Sequence, residues 1–146
     1  MIFSKRRVKR ISVELPVKVY LFDNKGKSLI GEPLAGQTRN FSPLGAALTV
    51  GSILISGKHL VYTCQDNQDT VLVLAFERSN ITESSEKIIT IHANPVWFDK
   101  DLNADRKKFE VGVEFLTDPK SPEIRTLCQE ACEDEKMRIS LWKKFL

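Results

Sequence analysis

Two short stretches hold the residue types from which a binding site could be built. Lys5-Arg6-Arg7-Val8-Lys9-Arg10 packs five cations into six residues. Thirty residues on, Asn40-Phe41-Ser42-Pro43-Leu44-Gly45 sets an amide, a hydroxyl and a glycine in a polar turn. Guanidinium groups are planar forks that match phosphate oxygens and also the O6/N7 edge of guanine. Asn40 can offer donors and acceptors to a base and Ser42 a hydroxyl. Gly45 allows a backbone shape closed to most residues and leaves room for close approach. Such a set suits an anionic ligand with hydrogen-bonding edges. The bland alternative is a solvated basic tail and an ordinary turn, the usual fate of a charge run.

Other chemistry is thinly represented. No serine, cysteine or histidine stands in a nucleophile context, and the seven glycines are scattered rather than gathered in a phosphate loop. The chain is therefore read as a non-enzyme. Cys64, Cys128 and Cys132 are an odd set for a disulfide framework. Cys128 and Cys132 share a helix face, but zinc wants about four ligands, and His59 and His92 are isolated. The cysteines are read as structural, with no metal and no cofactor.

At 146 residues and 42% hydrophobic content, the chain has the length and composition of one ordinary domain. No apolar run reaches the length of a membrane span. Net charge is +3, yet residues 11–146 carry 17 basic against 19 acidic residues. The basicity thus belongs to the N-terminal arm, which points to a local anion site rather than a broad nucleic-acid face. Residues 1–10 are basic without a following signal-peptide core, so the cytoplasm is the expected compartment.

The elements that must position these residues are mostly strands. Ile11, Val13, Leu15, Val17, Val19 and Leu21 repeat with period two, predicting a strand with one face on a core. Pro16 has no donor, which predicts an edge position or a bulge there. A turn over Asp23-Asn24-Lys25-Gly26 ends the strand. Residues 27–33 carry little pattern, and a second strand over 34–39 delivers Asn40 to its end. Further strands are expected over Ala46–Val50, Leu60–Cys64, Thr70–Phe76, Lys87–Phe98 (bulged or kinked at Asn94-Pro95) and Phe109–Leu116. Polar loops over Ser79–Glu86 and Asp99–Lys108 separate the last of them. Ser121-Pro122-Glu123 starts a helix whose face is Ile124, Leu127, Cys128 and Ala131. That stripe breaks at Glu135 and Arg138 and resumes out of register through Ile139, Leu141, Trp142 and Phe145, so the second half protrudes or meets a partner. Six or seven short strands with turns between them read as a small antiparallel barrel, partly covered by one C-terminal helix.

Arg6-x-x-x-Arg10 followed by Asn40-x-Ser42-x-x-Gly45 resembles the two-part signature of PilZ domains. Val111-Gly112-Val113-Glu114-Phe115-Leu116 is similar to that family's last barrel strand, and Pro95-Val96-Trp97-Phe98 to its penultimate one. The resemblance covers residues 4–117. It implies a mainly β, six-stranded antiparallel barrel that binds the second messenger cyclic di-GMP, divided into a flexible basic arm (1–10), the barrel (11–117) and a helix packed on it or extending from it (121–146). By the same implication Arg6 and Arg10 grip phosphate and guanine, and Arg7 stacks on or pairs with a second ligand molecule. Asn40 and Ser42 read a guanine edge, and Gly45 shapes the loop. The arm orders over the ligand and signals to a downstream protein controlling motility, biofilm or exopolysaccharide, with a homodimer as one arrangement. Two departures stand out. Residues 51–69 are longer than the family's usual link, and Asn40 lacks the negative charge of the aspartate alternative. Two other readings compete: a PilZ-like adaptor acting by protein contacts without nucleotide, and a barrel for single-stranded nucleic acid. The second wants aromatics interleaved with cations on a strand face, and the basic run has none beyond Phe3.

Overall fold

The computed structural model describes residues 13–77, 88–101 and 108–131. The arm, the loop expected over 79–86, most of the loop over 99–108, and the second half of the C-terminal helix with Trp142 and Phe145 lie outside the described residues. The strands in chain order are β1 (Pro16–Asp23), β2 (Ser28–Phe41), β3 (Gly45–Val50), β4 (Leu54–Ile55), β5 (Lys58–His59), β6 (Thr70–Glu77), β7 (Ile88–Asp101) and β8 (Lys108–Phe115), with helix α1 (Leu60–Asp66) between β5 and β6. A second helix, α2, covers residues 122–131. Six strands close into an antiparallel barrel in the order β1-β2-β3-β8-β7-β6, with β6 pairing back onto β1. No helix among the described residues is long and apolar enough to cross a membrane.

Alternation explains the barrel. Val17, Val19 and Leu21 of β1, Leu72, Leu74 and Phe76 of β6, Ile89, Ile91 and Ala93 of β7, and Val111, Val113 and Phe115 of β8 all point inward and are buried in one core. Each sits two residues from the next, as the pleat requires. The core is completed by Phe41, against which Phe76 and Phe115 set their rings. Ile124, Leu127 and Ala131 of α2 join it, all buried, while Cys128 is half-buried. The Ser121 hydroxyl accepts from the Ile124 N–H at 3.4 Å and begins that helix.

The structure departs from the sequence-based expectations at three places. The first strand begins at Pro16 rather than Ile11. In a closed barrel there is no edge to exile a proline to, so it takes the first strand position, where a missing donor costs least. The register shift between β1 and β2 falls elsewhere, where Gly31, Glu32 and Pro33 of β2 lie opposite Tyr20 alone. Upstream, Thr38 takes over from the ladder. Its buried hydroxyl accepts from the Leu15 N–H at 2.8 Å and donates to the Val13 carbonyl, while its own N–H donates to the Leu15 carbonyl. Secondly, residues 28–33 belong to a long β2, because Leu29 and Ile30 find partners in Phe22 and Leu21 across the hairpin.

Thirdly, Leu60–Cys64 is helical. Leu60, Val61 and Cys64 are buried and Tyr62 is exposed, a spacing of one and four rather than two. The histidine just before them makes the difference. His59 Nδ1 accepts from the Val61 and Tyr62 N–H groups at 3.1 and 3.2 Å, capping α1. The extra length over 51–69 therefore holds the β4–β5 hairpin and this short helix, which packs against β6 and β7. Burial pushes the Cys64 thiol up to about 11, so it stays a protonated, inert core group at neutral pH.

Two outcomes test this account. Thr38→Val removes a donor and acceptor that hold residues 13–15 and leaves buried backbone groups unpaired; it should cost about 2–3 kcal/mol in urea unfolding. His59 caps as neutral imidazole, and burial lowers its pKa from the ordinary 6.5. The native state then binds fewer protons than the unfolded chain, so this contribution is complete above 6.5 and is lost as pH falls through the lowered value. His59→Asn keeps a capping oxygen without the titration. Unfolding measured from about pH 7.5 down to about pH 5.5 should show a steeper loss in the wild type than in the variant.

Candidate functional site

Two β-bulges build the wall on which the candidate residues lie. Thr38 and Phe41 both point inward although they are three residues apart. The register between β2 and β3 shifts between Thr38 and Asn40, leaving Arg39 as the extra residue. That single insertion turns Asn40 to the outside, where a regular strand starting from Thr38 would have buried it. β7 repeats the device. Pro95 pairs with Val113, whose side chain lies in the core, and the register then shifts between Pro95 and Trp97, with Val96 as the extra residue. Trp97 is thereby turned out, 41% exposed, and Asn94 shares its face. The bulge or kink expected at Asn94-Pro95 is present.

The register then places four residues in one row across four strands. Asn40 of β2 pairs with Ala47 of β3, Ala47 with Gly112 of β8, and Gly112 with Trp97 of β7. The two middle positions carry almost no side chain. The indole lies flat over Gly112: a Cβ there would collide with Nε1, Cε2 and Cδ1 of Trp97. Ala47 points to this wall rather than into the core, yet is only 5% exposed. One row on, toward the C-terminal end of β8, the turn residue Ser42 closes on Gly45, Gly45 pairs with Glu114, and Glu114 pairs with Asn94.

The turn is held by its own side chains. Ser42 is buried, and its Oγ accepts from the Leu44 and Gly45 N–H groups at 3.2 and 3.3 Å and donates to the Gly45 carbonyl at 3.3 Å. Asn40 Oδ1 accepts from the Ala47 N–H at 3.2 Å, supplying a partner beside the bulge. These bonds leave the Asn40 amide hydrogens as the group best suited to face outward. Gly45 does not take the unusual backbone shape read from its sequence. Its φ is not in the left-handed region, where the glycines are Gly31 and Gly57. Instead a Cβ at Gly45 would overlap the Val113 carbonyl oxygen, so the glycine lets β3 approach β8.

Of the expected site residues, Asn40, Ser42 and Gly45 come together on this wall, while Arg6, Arg7 and Arg10 lie outside the described residues. Trp97 and Glu114 also stand on this wall, and the sequence reading did not single them out. The available signal was a tryptophan directly after a proline-marked break in alternation. Arg39 adds a cation beside Asn40, already paired with Glu110. Among the described residues the site is an open shelf on the strand faces. A groove of about 450 Å³ lies on a different wall, centred on β1 and β6 and lined by Tyr20, Leu29, Val73, Ala75 and Ile88 among others, across the barrel from β3 and β8.

By sequence, no family model matches the chain, and no curated protein matches it. Solved structures do. The PilZ domain of YcgR from Escherichia coli, a structure with c-di-GMP, matches over 97% of this chain and 99% of its own, with a TM-score of 0.54 and 12% identity. The PlzA protein of Borreliella burgdorferi, in complex with c-di-GMP, matches over 97% of this chain with a TM-score of 0.51 and 14% identity. The chain spans 54% of that PlzA chain. The fold of this chain is the PilZ-domain fold.

Gly45→Ala provides a test of the glycine's purpose. The clash with Val113 should destabilise the barrel by about 1–3 kcal/mol in urea unfolding, as overpacking does. A stable variant would return Gly45 to a purely ligand-facing role.

Proposed function

We propose that this chain is a cyclic di-GMP receptor of the PilZ type. The observation that carries the reading is the row Asn40–Ala47–Gly112–Trp97, where two bulges aim an amide and a flat aromatic face at one outer wall. A guanine stacked on the exposed indole would gain about 1–3 kcal/mol, and the Asn40 amide hydrogens would meet an acceptor edge of the base. The cationic run supplies what this wall lacks. Residues 13–15 run antiparallel to the end of β2 and are clamped by Thr38, two residues before Asn40. Arg10 stands three residues before Val13, within roughly 10 Å of chain. Arg6 and Arg10 then grip the phosphates and a guanine edge, with Arg7 available to a second ligand molecule. Two phosphates of charge near −2 meet the densest cation cluster of the sequence, and ordering of the arm is the change offered to a partner protein.

The adaptor reading draws on one observation: Asn40 Oδ1 and Ser42 Oγ are already engaged with backbone N–H groups. Ser42 in particular serves the receptor by holding the turn rather than by reading a base.

Calorimetric titration of cyclic di-GMP, with GTP as control, decides between the two. The receptor gives saturable heat with the cyclic dinucleotide alone. Arg6→Ala and Arg10→Ala should each weaken binding at least about tenfold, by loss of charge-assisted hydrogen bonds worth about 1.5–3 kcal/mol, with unfolding unchanged. Trp97→Ala should weaken it about tenfold by loss of stacking. A folded wild type that gives no heat at two temperatures would reject the receptor in favour of the adaptor.

A further inference from the structure

The wall beside Trp97 holds one carboxylate whose position has a consequence for base selection. Glu114 lies on β8 two residues beyond Gly112, on the same outer face. The pleat separates the two by about 7 Å, roughly the reach of a purine lying on the indole. Glu114 is exposed, and its row also contains Ser42, Gly45 and Asn94. Glu110, on the same face of β8, is held by Arg39; Glu114 has no ion pair among the described residues. Asn40 Oδ1 is engaged by Ala47, so that amide presents donors toward a base. Donors match the O6/N7 edge of guanine and cannot serve its N1–H and N2–H₂ edge.

We infer that Glu114 is a specificity-determining residue: its carboxylate accepts from N1–H and N2–H₂ of a guanine stacked on Trp97. The inference rests on the receptor reading. An ionised carboxylate is an acceptor only, so it pairs with both guanine donors and repels the N1 lone pair of adenine. It sits against the base edge, away from the phosphates, whose charge the arginines meet. Glu114 thereby supplies the negative charge that Asn40 does not bring.

The test is a cycle of two ligands and three proteins, read by calorimetry with cyclic di-GMP and cyclic di-IMP, whose hypoxanthine lacks the N2 amino group. The wild type should prefer the guanine ligand by about tenfold, the discrimination of one good polar pair. Glu114→Ala should bring that ratio near one, and Glu114→Gln, which keeps one acceptor oxygen, should fall between. Because Glu114 is exposed, thermal unfolding of both variants should match the wild type. An unchanged ratio in Glu114→Ala overturns the inference and leaves the receptor standing. An equal loss for both ligands also overturns it, since the residue would then be holding the arm or the turn. Failure of the wild type to bind cyclic di-GMP overturns the receptor reading and this inference with it.

Discussion

Everything on the outer wall depends on where the pleat is broken. A strand shows its side chains alternately to core and solvent, and one inserted residue reverses all that follow. This barrel inserts one at Arg39 in β2 and one at Val96 in β7. Each insertion stands next to a residue that regular alternation would have turned inward. A buried Asn40 would need partners for a whole amide, and an inward Trp97 would overfill a core already occupied by Phe41, Phe76 and Phe115. The bulges avoid both costs and leave the two side chains on one register row, which is how such irregularities re-aim groups beside functional sites.

The same polar atoms that resemble ligand-reading groups also hold the fold. Ser42 ties the turn, Asn40 satisfies Ala47, and Thr38 clamps the chain where it leaves the barrel toward the cationic run. Engagement with backbone fixes a side chain's direction before any ligand arrives, so less conformational entropy remains to be lost on binding. It also restricts what each group can offer. Asn40 is left with donors, so the proposed receptor needs an acceptor elsewhere on the wall to meet the donor edge of a guanine. The small residues Gly45, Ala47 and Gly112 form the floor: two let backbone or indole approach closely, and all three keep the shelf flat.

Much of the barrel was legible in the sequence because period-two alternation is a direct consequence of burying one face. Inward triplets such as Val111, Val113 and Phe115 could be read off directly. So could the start of α2, since Ser121, Pro122 and Glu123 act through local hydrogen bonding and the helix dipole. Leu60–Cys64 was misread because a short apolar run does not distinguish strand from helix. What decided it was His59, whose cap needs the folded geometry to be seen. Residues 28–33 lacked a pattern because the pairing of Ser28, Leu29 and Ile30 with β1, not burial, brings this stretch into the strand.

The sequence by itself determined which residues could do chemistry: a dense cation run, an amide and hydroxyl in a turn, and a barrel to carry them. These follow from side-chain type and periodicity, which are local. Only the tertiary structure decided that Gly45 serves the approach of β8, that Ser42 is spent inside its turn, and that Trp97 and Glu114 stand on the same wall as Asn40. Those facts depend on register between strands up to 74 residues apart, from Asn40 to Glu114. Register is set by closure of the whole barrel, to which no single segment holds the key.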